Sequence, residues 1–420
     1  MTKVTKTKAA KGTKAITGFM KGSQRAAWLL WMIASIFYAY QYILRVMPNV
    51  MLQDIMRQFS MDPVKFGQFS GVYYIGYSLI HLPVGIMLDR YGPRRVMTVC
   101  ILLTVIGLFP IIFATNFVYP LIGRALIGIG SSAAILGTFK IVRIAFIEER
   151  FTRMLSLAVT IGLIGAIYGG GPVSYMCQHL NYRVVIGIFA VIGVLLAALT
   201  YWLVPELEKS RQTVQLSDIR LVFANRKVLL FCCFAGLMVG PLEGFADVWG
   251  SEFLRQVYDL EGGAANYLPS MIFIGMCFGA PILSLIAEKT GRYFGSIIGA
   301  GVVMCCVFIM LIAGKLTVNV MMIGFVLVGV CCSYQILAIY KASMYVPEHV
   351  VTLTTAVANM IIMSFGYAFH SIIGFVIRAV GASNPVQAFV YGIGIIPLGL
   401  GIGVIGFSVL ACQESQARKN

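Results

Sequence analysis

Gly85-Ile86-Met87-Leu88-Asp89-Arg90-Tyr91-Gly92-Pro93-Arg94-Arg95 joins two apolar runs, 68–88 and 96–115, each of the roughly 20 residues that a helix needs to cross a bilayer. One acid, three arginines and a Gly-Pro step interrupt the apolar pattern, so the segment is a short polar turn between two spans. Its pattern returns 199 positions later in Ser284-Leu285-Ile286-Ala287-Glu288-Lys289-Thr290-Gly291, behind the apolar run 265–287. Gly128, twelve residues before Lys140, is matched in the same way by Gly329, twelve before Lys341, at an offset of 201. The chain reads as two parallel repeats, the arrangement that lets a site between two halves open to either side in turn.

Apolar runs of spanning length recur outward from this loop at 27–48, 68–88, 96–115, 118–145, 154–177, 183–204, 228–250, 265–287, 293–313, 318–341, 354–378 and 386–411. Composition demands such a solution. The 420 residues are 59% hydrophobic and 11% charged, with a mean hydropathy of +0.88, whereas a soluble domain is about 25% charged. The net charge of +16 would suggest nucleic acid in a soluble protein, but these basic residues sit between apolar runs and in a tail, which points to membrane topology instead. The ten cysteines lie mostly inside apolar runs, as in Cys232-Cys233, Cys305-Cys306 and Cys331-Cys332, and read as small packing residues rather than disulfides or metal ligands.

The expected division is a basic tail (1–25), a six-helix bundle (26–204), a polar linker (205–227), a second six-helix bundle (228–411) and a short tail (412–420). Lys3, Lys6, Lys8, Lys11, Lys14, Lys21 and Arg25 lead into a first helix without a small-residue cleavage site, so that helix is expected to be retained. With both termini cytoplasmic, the inner segments collect Arg90, Arg94, Arg95, Arg150, Arg153, Lys209, Arg211, Arg220, Arg226, Lys227, Lys289, Arg292, Arg418 and Lys419. The outer ones hold only Arg57, Lys65, Arg183, Arg255, Lys315 and Arg378. That asymmetry obeys the positive-inside rule.

The 85–95 loop resembles the signature GxxxDRxGRR of the major facilitator superfamily, in the place where that family carries it. Gly123-Arg124-Ala125-Leu126-Ile127-Gly128-Ile129-Gly130 resembles the family's arginine in a glycine-rich fourth span. Gly162, Gly165 and Gly169-Gly170-Gly171-Pro172 resemble part of an antiporter motif, without the glycines after the proline. Tyr42-Ile43-Leu44-Arg45-Val46-Met47-Pro48, Tyr73-Tyr74-Ile75-Gly76-Tyr77, Pro83-Val84-Gly85, Asn181-Tyr182-Arg183 and Phe245-Ala246-Asp247-Val248-Trp249-Gly250 are similar to the anion:cation symporter branch and bacterial phagosomal nutrient transporters. The resemblance implies an all-α membrane protein of twelve transmembrane helices in two pseudo-symmetric six-helix bundles. It also implies a gate latch made by Gly85, Asp89, Arg90, Gly92, Arg94 and Arg95, with Glu288 and Lys289 as its counterpart. Leu44 and Ser131 or Ser132 stand where that branch often has acids, a departure at the groups that the resemblance would assign to proton coupling.

Physical reasoning accounts for the same residues. Gly85 would permit close helix approach, and Asp89 would accept charge-assisted bonds at a neighbouring helix end. Tyr38, Gln41 and Arg45 share a helix face, on which Arg45 would draw in an anion while Tyr38 and Gln41 supply hydrogen bonds; the alternative is an Arg45 that snorkels to the outer interface. Arg124 is costly in a span unless it meets partners or water. Tyr74, Tyr77 and His81 form a stripe that serves recognition or packing. Lys140 and Lys341 are further substrate candidates near inner helix ends, although at about 100° per residue Lys140 falls about 160° round from Arg124.

Glu243 and Asp247 lie four apart after Gly240-Pro241, where a helix break would expose backbone. Two carboxylates held close in a low dielectric resist double ionisation, making them the expected proton site; the alternative is a hydrated pair at a span's mouth. His81 and His370 could titrate but are lone residues without metal-ligand neighbours.

No serine elbow, phosphate loop, zinc spacing or dinucleotide fingerprint is present in a suitable loop. The expectation is therefore a secondary transporter, not an enzyme, without cofactor or metal. It would act as a monomer in a bacterial inner membrane, with small-molecule, proton and lipid partners and no nucleic acid. Import of a small anionic or zwitterionic metabolite with protons is the leading expectation; proton-driven export of metabolites, drugs or siderophore-like compounds is the alternative.

Overall fold

Twelve long apolar helices account for the sequence pattern. They are α1 (Gln24–Asn49), α2 (Pro63–Tyr91), α3 (Pro93–Phe113), α4 (Val118–Ala145), α5 (Arg153–His179), α6 (Tyr182–Leu203), α7 (Arg226–Tyr258), α8 (Gly263–Thr290), α9 (Tyr293–Ala313), α10 (Val318–Ser343), α11 (Leu353–Gly381) and α12 (Pro385–Gln416). The computed structural model describes residues 24–206, 216–314, 316–347, 350–381 and 384–417, and no strand occurs among them. The basic tail up to residue 23, linker residues 207–215, Lys315 and residues 418–420 lie outside the described residues. An even number of crossings puts Gln24 and Gln416 at one end, the tail end; the opposite one is the far end.

Local chemistry sets the boundaries. Pro63 starts α2 where its missing N–H costs nothing, and Asp62 caps the helix by accepting from the Lys65 amide at 2.8 Å. The break between α2 and α3 falls at Gly92, whose φ of 81° suits glycine, followed at once by Pro93. The repeat carries the same solution, since Gly291, after α8, has φ 64°.

The two bundles repeat at the level of single contacts. A Cβ on Gly128 of α4 would strike the Tyr73 carbonyl of α2, and one on Gly329 of α10 would strike the Ile272 carbonyl of α8. Gly76 faces the Ala125 carbonyl as Gly275 faces that of Val326. These glycines let the backbones of α2 and α4, and of α8 and α10, approach closely. Gly85 does not share this role: a Cβ there would meet only Leu136 Cδ1, at 3.8 Å. The expectation of close approach at Gly85 is therefore corrected, because the helices touch nearer the bundle centre, at Gly76 and Gly128.

Across the seam between bundles, α2 lies against α11. Gly71 abuts the Tyr367 ring and His370 Cβ, and Gly366 abuts the Tyr74 ring. At the far end α5 meets α8, where Asn266 Nδ2 donates to Ser174 Oγ. Gln53 donates to Glu252 at 3.3 Å, and Arg378 pairs with Asp62 at 3.0 Å. These ties join the two bundles at the far end.

Candidate functional site

Arg45 of α1 reaches across the seam into α7. Its Nε donates to Asp247 Oδ2 and its Nη2 to Glu243 Oε2, both at 2.5 Å. The carboxylates are 0% exposed and Arg45 is 6% exposed, so neither a snorkelling arginine nor a hydrated acid pair describes the geometry. Rings bracket the guanidinium, with Tyr42 at 5.1 Å and Tyr74 at 5.2 Å, and the Tyr74 hydroxyl also donates to Asp247 Oδ2. Glu243 and Asp247 thus meet on the same guanidinium. Each keeps one buried oxygen, Oε1 and Oδ1, without a partner.

Both acids lie on the π-helical segment Gly240–Trp249. A plain break was expected at Gly240-Pro241. The structure breaks the α-helix just before that step: the segment Arg226–Leu237 ends, Met238 and Val239 form the interruption, and a π-helical stretch follows from Gly240, a form that recurs at functional sites.

Arg124 has a different task. Pro48 cannot donate to the Leu44 carbonyl four residues earlier, and Arg124 Nη1 fills that vacancy at 2.5 Å, while Nη2 donates to the Arg45 carbonyl at 2.8 Å. The Tyr73 ring lies 5.0 Å from its guanidinium. Arg124, 1% exposed, thus holds the piece of α1 that presents Arg45.

The remaining candidates separate. Gln41 Oε1 accepts from the Tyr73 hydroxyl at 2.8 Å, whereas Tyr38 turns toward Gly162 of α5 and lies edge-on to Tyr42 at 5.2 Å. Tyr77 stacks between Tyr73 at 6.2 Å and His81 at 5.1 Å, and His81 Nε2 lies 3.5 Å from Asn359 Nδ2 across the seam. Lys140 pairs with Asp89 at 2.6 Å at the tail end, and Lys341 pairs with Glu414 of α12 at 2.8 Å. Both lysines are thus engaged by acids near the tail end, not by the Arg45 cluster. Around the loop, Arg95 pairs with Glu206 and Arg94 lies 4.3 Å over the Tyr201 ring, while Arg90 covers Tyr91, and Glu288 and Lys289 are exposed.

Tyr42 and His370 were not singled out as site residues. Tyr42 precedes Arg45 by three residues on the same helix face, a signal open to inspection. His370 carried none beyond being a lone histidine in an apolar span.

A charged cluster buried between two similar six-helix bundles defines a membrane transporter of the two-bundle class. The chain belongs to the Major Facilitator Superfamily, whose profile matches residues 30–371. It is 27% identical over 270 residues to protein spinster homolog 1 of Xenopus laevis, covering 58% of this chain and 50% of the relative. It is 22% identical over 269 residues to the hexuronate transporter of Bacillus subtilis (strain 168), covering 60% and 63%. To the multidrug resistance protein MdtM of Escherichia coli (strain K12) it is 24% identical over 237 residues, covering 54% and 57%. The chain thus spans between 50% and 63% of the length of these curated relatives. Among solved structures it is similar to the nucleoside transporter NupG, with TM-score 0.77 at 16% identity, covering 90% of this chain and 99% of that one. A bacterial homolog of the human lysosomal transporter spinster, inward-facing and unoccupied, gives 0.71 at 15% identity, covering 92% and 98%. At such identities the likeness is one of fold.

Proposed function

We propose that the protein is an alternating-access importer of a small anionic or zwitterionic organic metabolite, coupled to protons through Glu243 and Asp247. One observation carries this reading: two carboxylates of one bundle share a single guanidinium of the other. Arg45 can serve an anionic substrate only when those carboxylates release it. A released guanidinium left buried without a counter-charge costs several kcal/mol, so release and anion binding must occur together. Protonation provides the release. Both carboxylates accept from the one guanidinium, so proton uptake by the pair weakens its hold on Arg45. When protons leave on the other side, the carboxylates reclaim Arg45 and evict the substrate.

The far-end ties, Asn266 with Ser174 and Arg378 with Asp62, would have to part for entry from that side. Arg90, Arg94, Arg95, Arg150, Arg153, Arg220, Arg226, Lys227, Lys289 and Arg292 lie toward the tail end, which supports a cytoplasmic tail end in a bacterial inner membrane. The hexuronate relative is named for a sugar acid, a substrate class that an arginine would recognise. The name MdtM and the α5 glycines favour export instead, but Gly162, Gly165 and Gly169 are accounted for by close packing on Tyr38, Ala39 and Ile43 of α1.

A thermal-shift screen of purified protein against carboxylates, amino acids and sugar acids should find a stabilising ligand whose effect is lost in Arg45→Ala. Uptake of that ligand into liposomes should follow an imposed pH gradient, and Glu243→Gln and Asp247→Asn should retain counterflow while losing that drive. Uptake with full pH dependence in both variants would remove the proton-coupled reading.

A further inference from the structure

We propose that His370 of α11 is a positioning residue for the carboxylate pair, holding the π-helical turn of α7 in register and tying it to the α2–α11 seam. This rests on the proton-coupled reading above. His370 Nε2 meets the Glu243 carbonyl oxygen at 2.5 Å. A carbonyl only accepts, so this ring nitrogen carries the hydrogen and donates. Nδ1 is left buried without a partner. The ring is therefore committed to one bond, made to the backbone of the residue whose side chain grips Arg45.

Three more contacts tie the same residue to its surroundings. The His370 carbonyl accepts from Trp249 Nε1 at 3.3 Å, so His370 touches α7 on both sides of Asp247. Its ring lies edge-on to Tyr74 at 5.3 Å, and the Tyr74 hydroxyl donates to Asp247. A Cβ on Gly67 of α2 would strike the His370 carbonyl, and one on Gly71 would press on His370 Cβ at 3.2 Å. Both glycines belong to the opposite bundle, so the far half of α2 closes on α11 over His370 as well as at Tyr367 and Gly374. A leucine would fill the space and leave the Glu243 carbonyl without its donor. The π turn would then lose the bond that sets its width, and Glu243 Oε2 its place beside Arg45.

The titratable and charged groups around His370 are Glu243 and Asp247 from α7, Tyr74 from α2, Arg45 from α1 and Arg124 from α4. The test is the pH profile of uptake into liposomes for wild type, His370→Gln, His370→Leu, His370→Asn, Glu243→Gln and Asp247→Asn, each checked for a monodisperse folded peak. Glutamine keeps an N–H donor at similar reach and should keep the wild-type profile. Leucine should move the half-maximal pH by about one unit toward alkaline values, a tenfold change in proton affinity, because the carboxylate drifts from its guanidinium. Should the leucine variant not fold, the asparagine variant, whose amide is too short, should shift in the same direction while glutamine does not. A wild-type profile in folded His370→Leu or His370→Asn overturns the proposal, as does a glutamine variant shifted as far as leucine. If Glu243→Gln loses pH dependence while His370→Leu keeps it, the role of His370 alone fails. If Glu243→Gln and Asp247→Asn both keep it, the proton-coupled reading fails and this inference with it.

Discussion

Replacing Arg45 by methionine preserves most of the side-chain volume and strands two carboxylates that are 0% and 1% exposed. In the native protein each accepts a charge-assisted bond at 2.5 Å from one guanidinium. Removing one partner of such a buried group costs about 3–5 kcal/mol, because the survivors keep their desolvation penalty and lose its compensation. Converting Arg45 and its two acids to apolar residues of similar volume, as in Arg45→Met with Glu243→Met and Asp247→Leu, removes their penalty together with their attraction and leaves Arg124 held by the Leu44 and Arg45 carbonyls. That triple variant should recover about 1–2 kcal/mol or more of the single variant's deficit. The single variant should also respond to pH. Its carboxylates can stay buried only by taking up protons, so the deficit is smaller at pH 5 and grows toward pH 8. Thermal unfolding of the detergent-solubilised proteins at both pH values, followed by intrinsic fluorescence, reads the differences. A triple variant as unstable as Arg45→Met, or a deficit indifferent to pH, would refute the assignment of Arg45 as the counter-charge of a buried acid pair.

The repeat makes a matched prediction: Gly128→Ala and Gly329→Ala each drive a Cβ into a backbone carbonyl that cannot swing aside. Both should lower stability by a similar amount, about 1–3 kcal/mol, while Gly85→Ala, with room around it, leaves the thermal midpoint unchanged. Cysteines replacing Ser174 and Asn266, in a background lacking Cys177, sit where α5 and α8 touch. A cross-link there should stop transport until it is reduced, and undiminished transport by the cross-linked protein would show that the far end need not open.

Sequence periodicity is local, and what it exposes is local too. The spans, the glycine turns at Gly92 and Gly291, and the duplicated glycines facing Tyr73 and Ile272 could all be anticipated from spacing. Arg45, Glu243 and Asp247 each stood out as a polar group in an apolar helix. Nothing in the chain paired them, because the bonds join residues 198 and 202 positions apart across a seam formed only in the folded protein. Lys140 and Lys341 show the limit of repeat logic. They occupy equivalent places, yet one finds Asp89 near the end of α2 in its own bundle and the other finds Glu414 at the end of the last helix. Acid placement outside the repeat decided the partner. Arg124 was marked for its charge, whereas the structure uses its hydrogens: Pro48 had already orphaned the carbonyl it caps.

The division of labour between the two arginines shapes the chemistry open to the cluster. Arg124 is bonded through both terminal nitrogens to α1, so its geometry is fixed. Only Arg45 can exchange partners. With both carboxylates ionised, the four charges of Arg45, Arg124, Glu243 and Asp247 cancel, the least costly state for so many buried ions. A monoanion entering alone would leave the interior with an excess negative charge, and a proton entering alone an excess positive one. Entering together they keep the sum at zero while handing Arg45 from carboxylate to substrate. A neutral analogue of the substrate offers Arg45 no counter-charge, so it cannot draw the guanidinium from its acids and should bind poorly whatever its shape.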